Sequence, residues 1–110
     1  MESRERRREV RLRKVSAVSL VWEDSCGESK YAVASSHDLS RSGMGIRLRE
    51  AIDRNSYVRV RADELKLSGT TVVRYCIHKG GTCLIGLEFL GGTKIQALLL
   101  YEMPLLMMVN

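Results

Sequence analysis

Between Val15 and Phe89, apolar residues recur at every second position in short runs, and turn-forming residues separate the runs at intervals of about eight to twelve residues. A period of two places alternate side chains on opposite faces of an extended chain, so each run can cover one side of a sheet but cannot form a helical stripe. Val58 and Val60 alternating with Arg59 and Arg61 give the clearest half-buried strand, over Tyr57 to Ala62. Val15, Ala17, Ser19 and Val21 alternate with Ser16, Val18, Leu20 and Trp22, a β-branched-rich run expected to be covered on much of both faces. Trp22 reads as a core or barrel-edge aromatic.

The remaining runs follow the same logic. Glu23 to Ser29, with Gly27 inside it, is expected to be a hairpin turn, and Lys30 to Ser36 a second strand. Asp38 to Gly43 reads as a tight turn leading into a strand in which Met44, Ile46 and Leu48 alternate with Gly45, Arg47 and Arg49. Asp53 to Ser56 supplies another turn. Gly69 opens a run over Thr70 to Ile77, which His78 to Gly81 turns back into Thr82 to Phe89. About six short strands without helix–strand alternation before residue 91 predict an all-β barrel or sandwich.

The carboxy-terminal end differs. Ile95, Leu98 and Leu99, with Ala97, Leu100 and Tyr101, are spaced as an α-helix that is apolar around much of its circumference. One face of it is expected to cap the barrel. Pro104 removes an N–H and disfavours helical geometry at Met103, so the helix should break there. Leu105 to Val109 then form an apolar tail, expected to pack back on the barrel or to join a second subunit as a homodimer.

At 110 residues the chain is the size of one domain. Its net charge of +5 is concentrated at the amino terminus. Residues 1 to 14 hold seven Lys or Arg (Arg4, Arg6, Arg7, Arg8, Arg11, Arg13 and Lys14) against three Glu, and residues 15 to 110 are nearly neutral. The division is therefore a flexible arginine-rich arm, 1–14, on a barrel with helix and tail, 15–110. Such an arm suits an anionic partner. Cys26, Cys76 and Cys83 fit neither a disulfide framework nor paired zinc knuckles, and no metal site is expected. The charged amino terminus and the short apolar runs predict neither a signal peptide nor a membrane span, so the protein is expected in the cytoplasm. No serine has recognisable His and Asp partners, and an enzyme is not expected.

The chemistry gathers in two places. The arginine cluster offers planar guanidinium forks that suit phosphates and guanine edges. About thirty residues on, Asp38-Leu39-Ser40-Arg41-Ser42-Gly43 offers a carboxylate, a hydroxyl and a backbone bend. Taken together they point to a guanine nucleotide with phosphates. Alone, the cluster reads as a solvated basic tail or nonspecific nucleic-acid arm, and the Asp38 turn as an Asx-type turn whose side chains bond local backbone. Gly86 and Phe89 read as barrel packing, and His37 as an exposed loop histidine.

These features in this order resemble the PilZ domains, bacterial receptors for the second messenger cyclic di-GMP. The resemblance rests on Arg7-Arg8-Glu9-Val10-Arg11, on Asp38-Leu39-Ser40-Arg41-Ser42-Gly43 and on Ile85-Gly86-Leu87-Glu88-Phe89, and covers about residues 4 to 90. It implies a six-stranded antiparallel β-barrel with a C-terminal α-helix. It also implies that Arg7 and Arg11 hold phosphate and guanine, that Asp38 accepts from guanine N1–H and N2–H, that Ser40 adds a hydroxyl contact, and that Gly43 permits a sharp turn and close ligand approach. Arg4 and Arg8 satisfy the same spacing as Arg7 and Arg11, but the latter pair lies nearer the first strand, where the family places its own. An arginine in the place of Arg6 accompanies, in this family, binding of a stacked ligand dimer. The function implied is a cyclic di-GMP receptor, with no further cofactor, whose arm closes on ligand and signals to a protein partner. The rival is a small basic barrel binding single-stranded nucleic acid nonspecifically. That rival needs exposed aromatics, whereas Trp22, Phe89 and most of the four tyrosines stand in strand patterns expected to pack.

Overall fold

A computed structural model describes Arg13, residues 15–91 and the backbone of 94–95. Seven strands follow in chain order: β1 (Ala17–Glu23), β2 (Ser29–Leu39), β3 (Gly43–Leu48), β4 (Tyr57–Ala62), β5 (Leu67–Lys79), β6 (Thr82–Phe89) and β7 (Lys94–Ile95), with one 3-10 turn at Asp63–Leu65. All pairings are antiparallel, and the order β4-β1-β2-β3-β6-β5 is closed by a β4–β5 pairing. The result is a six-stranded barrel. Closure satisfies the backbone groups that an open sheet would leave unpaired along its edges.

The alternation read from the sequence sets the inside of this barrel. Val18, Leu20 and Trp22 from β1, Val58 and Val60 from β4, Met44 and Ile46 from β3, and Ile85 and Leu87 from β6 are all buried in one core. The polar Thr71 is fully buried among them because its hydroxyl donates to the Val58 carbonyl at 2.8 Å. Only one face of β1 is covered, contrary to the expectation for its second face: Val15, Ala17 and Val21 are exposed. The β-branched residues on that outer face reflect strand propensity rather than burial.

Turn chemistry fixes the hairpins. Asp24 Oδ1 accepts from the N–H groups of Cys26 and Glu28, both at 2.9 Å, while Gly27 takes φ 80°. Gly80, at φ 63°, makes the tight β5–β6 reversal. Two further expectations are corrected. β2 continues to Leu39, so Asp38 belongs to a strand, and β5 starts at Leu67, ahead of Gly69. Ile95, expected in a helix, instead pairs with Leu67 in β7, because the outer edge of β5 offers ladder partners there. The rest of the expected helix and the apolar tail lie outside the described residues. Among the described residues no helix is long and apolar enough to cross a membrane.

Candidate functional site

The Asp38 motif sits where β2 passes into β3, and a bulge shapes it. Ser36 faces Ile46 and Asp38 faces Gly45, so His37 is the extra residue on the β2 side. A bulge places two successive side chains on one face and re-aims them. His37 and Asp38 therefore both stand on the outer surface opposite Gly45. His37, expected in a loop, is a half-buried strand residue.

Each member of the motif has a distinct position. Asp38 Oδ1 accepts from the Gly45 N–H at 2.8 Å, and Asp38 Oδ2 lies 3.6 Å from His37 Nδ1, a pairing that is ionic only when the imidazole is protonated. The bond to Gly45 crosses to the next strand, so the carboxylate is not spent on an Asx turn. With its side chain 26% exposed, Asp38 keeps an accessible surface. Ser40 is fully buried. Its N–H donates to the Gly43 carbonyl at 2.8 Å and its hydroxyl lies 3.3 Å from the same oxygen, so Ser40 closes the turn. The turn is also tied to the end of β6, where the Phe89 N–H donates to the Ser42 carbonyl at 2.7 Å.

Gly43 is needed for another reason than the one expected. Its φ is not among the positive ones, and a Cβ there would strike the backbone carbonyl of Leu87. The residue lets β6 approach closely. The space that a Cβ would take is filled by the backbone of Leu87 and Glu88.

The root of the arm lies close to this motif. The Ser16 N–H donates to Ser36 Oγ at 3.0 Å, the Ser36 N–H donates to the Ser16 carbonyl at 2.8 Å, and Ser16 Oγ donates to Glu64 at 2.7 Å. The bonds between Ser16 and Ser36, both buried residues, pin the chain two residues from Asp38 as it enters the barrel. Arg6, Arg7 and Arg11 themselves, with Arg4 and Arg8, lie outside the described residues.

Sequence reasoning passed over Gly45 and gave Gly86 only a packing role. Gly45 and Gly86 are directly paired across β3 and β6, and both point outward. His37 leans over the first and Tyr75 over the second. The only signal in the sequence was a pair of glycines occupying outward positions in otherwise regular alternation. Gly86 thus packs, but under a surface ring instead of in the core. Phe89 is half-buried against the core. Three tyrosines correct the packing expectation: Tyr31 and Tyr57 are each 67% exposed and Tyr75 45%. A separate open groove of about 690 Å³, lined by Val21, Tyr31, Arg59 and Arg61 among others, lies on the far side of the barrel around β1 and β4. It shares no residue with the Asp38 motif.

Asp38 thus presents an outward carboxylate at a bulge of a closed antiparallel barrel, two residues from the Ser36 hydroxyl that accepts from the Ser16 N–H. A family model, the PilZ domain, matches residues 5–102. The chain belongs to the PilZ family, whose domains bind cyclic di-GMP and serve as binding or adaptor modules. No curated protein matched it.

Proposed function

We propose that the chain is a cyclic di-GMP receptor in which the arginine arm and the β2–β3 corner form one clamp. The observation that carries this reading is the family match spanning both motifs, supported by the position of the arm's root beside Asp38. Arg11 stands five residues before Ser16, a tether of at most about 18 Å, so its guanidinium can reach the Asp38 surface. Arg7 and Arg11 hold phosphate and guanine, and Asp38 reads the guanine N1–H and N2–H. Ser40 and Gly43 belong to the same site as the turn that presents Asp38. Arg6 favours a stacked pair of ligands. Two phosphates neutralise arginines that otherwise repel one another, the arm orders over the barrel, and a cytoplasmic protein partner reads the new surface. Homodimerisation through the carboxy-terminal apolar segment belongs to the same proposal, and catalysis does not.

Calorimetric titration with cyclic di-GMP, with cyclic di-AMP as control, tests the reading. Heat from the first alone is expected, and Arg7→Ala, Arg11→Ala or Asp38→Ala should each abolish or strongly weaken it. No heat, or equal heat from both nucleotides, overturns it. The exposed Tyr31 and Tyr57 beside Arg59 and Arg61 favour a second reading, single-stranded nucleic acid on the β1–β4 face. On that reading an oligonucleotide binds with affinity that falls steeply with salt and is indifferent to Asp38→Ala.

A further inference from the structure

The groove on the far side of the barrel has a layout set by strand register. On β4 the outward residues are Tyr57, Arg59 and Arg61, alternating with the buried Val58, Val60 and Ala62. Arg59 lies between Val21 of β1 and Thr70 of β5, and Arg61 between Ser19 and Ser68. One strand further, Val21 pairs with Tyr31 and Ser19 with Val33 on β2. The two arginines therefore have hydroxyl residues on their β5 side and a strip of Val21, Tyr31 and Val33 on their β1–β2 side.

The strip is apolar and open. Tyr31 is 67% exposed, Val33 56% and Val21 44%, and adjoining apolar surface rimmed by polar groups marks an interaction site. The charge beside it is equally available. No Asp or Glu lines the groove, and Arg59 has no ion-pair partner among the described residues. Arg61 meets Asp63 at 3.0 Å, but both side chains are largely exposed, and an incoming carboxylate can replace so weak a surface pair at little cost.

These features select the occupant. A second copy of this chain fits poorly, because a two-fold contact sets a patch against itself and would bring arginines against arginines. Single-stranded nucleic acid needs successive π faces along a basic track, whereas two of the three apolar side chains here are valines. A protein segment that carries both carboxylates and apolar side chains complements both halves. Adjacent strands stand about 4.8 Å apart, which puts the strip roughly 5–10 Å from the arginines. In an extended segment side chains i and i+2 lie about 7 Å apart on one face, so one can reach the arginines while the other reaches the strip.

We infer that the β1–β2–β4 face docks an extended acidic segment of a partner protein, with a carboxylate over Arg59 and Arg61 and an apolar side chain two residues away over Val21, Tyr31 and Val33. The surface shares no residue with the Asp38 motif, so the inference does not rest on the cyclic di-GMP reading. Peptide binding without nucleotide binding, or the reverse, separates the two.

Selection of random short peptides from a displayed library against the full chain tests it, followed by calorimetry with the most enriched peptide. The enriched sequences should share Asp or Glu two positions from a large apolar residue. Arg59→Ser should weaken the peptide about ten-fold, the loss of a charge-assisted hydrogen bond, and Tyr31→Ser should weaken it in the same direction. Unchanged urea midpoints show that both variants fold, and amide shifts at Val21, Val33 and Arg59 place the peptide on the parent. Absence of that pattern, shifts elsewhere on the barrel, or equal binding by Arg59→Ser overturns the inference. Oligothymidylate bound at the same residues more tightly than any selected peptide gives the face to nucleic acid, and self-association lost in Tyr31→Ser gives it to a second copy. Either result also overturns it.

Discussion

Gly43 shows how a residue of a local motif can be fixed by a strand distant in the chain. The nearest obstacle to a side chain there is the carbonyl of Leu87, part of a paired strand that cannot swing aside. Gly43→Ala should therefore cost about 1–3 kcal/mol, the usual penalty of overpacking, in urea unfolding. Gly81→Ala is the contrast: nothing lies within 4 Å of its Cβ position and its φ is not positive, so stability should hardly change. Equal effects from the two would remove the close-approach explanation. The sequence marked Gly43 by its place in a motif, but its physical role came from β6, some forty residues further along the chain.

At the scale of elements, the strands were legible and their outer faces were not. Val58 and Val60 are buried between exposed Arg59 and Arg61, as the alternation required. The bulges at Ser36–Asp38 and Val73–Tyr75 left no mark in the alternation, and they decide where His37 and Tyr75 point. The same bulge region anchors the arm through the buried Ser16–Ser36 pair. Ser36→Ala leaves the Ser16 N–H without its acceptor and should destabilise the barrel by about 1–3 kcal/mol. The exposed Ser35→Ala should be near neutral. Chemical denaturation of both variants decides it, and an unchanged midpoint for Ser36→Ala would show that the arm's root is held otherwise.

Over the whole molecule, position in the fold sorts the three thiols by depth: Cys26 lies in the turn between β1 and β2, Cys76 on β5 and Cys83 on β6. Cys26 is exposed, Cys76 half-buried and Cys83 buried. Burial, and then the neighbouring Cys76, push the Cys83 thiol above its ordinary value of 9.0. The native state thus holds the proton more tightly than the unfolded chain. The stability this contributes is fully present below the ordinary thiol range and is lost as pH rises through it. Denaturation midpoints should fall above about pH 9, less steeply in Cys83→Val. Thiol labelling of the folded protein should modify Cys26 at once and Cys83 only on unfolding. Rapid labelling of Cys83 in the native state would contradict a closed barrel.

By itself the sequence determined most of the barrel strands, the alternation that buries one face of β3 and β4, the separation of a basic arm from a nearly neutral body, and the Asp38-Leu39-Ser40-Arg41-Ser42-Gly43 motif as a pattern. Those properties depend on local period, charge and turn chemistry, which neighbouring residues carry. Tertiary structure alone decided that Ser40 is buried while Asp38 faces outward, that Gly43 answers to a neighbouring strand, and that His37 lies over Gly45 and Tyr75 over Gly86. Each of these depends on pairing register across strands distant in the chain. A shift of one residue would exchange the faces, and no single run of the sequence specifies that register.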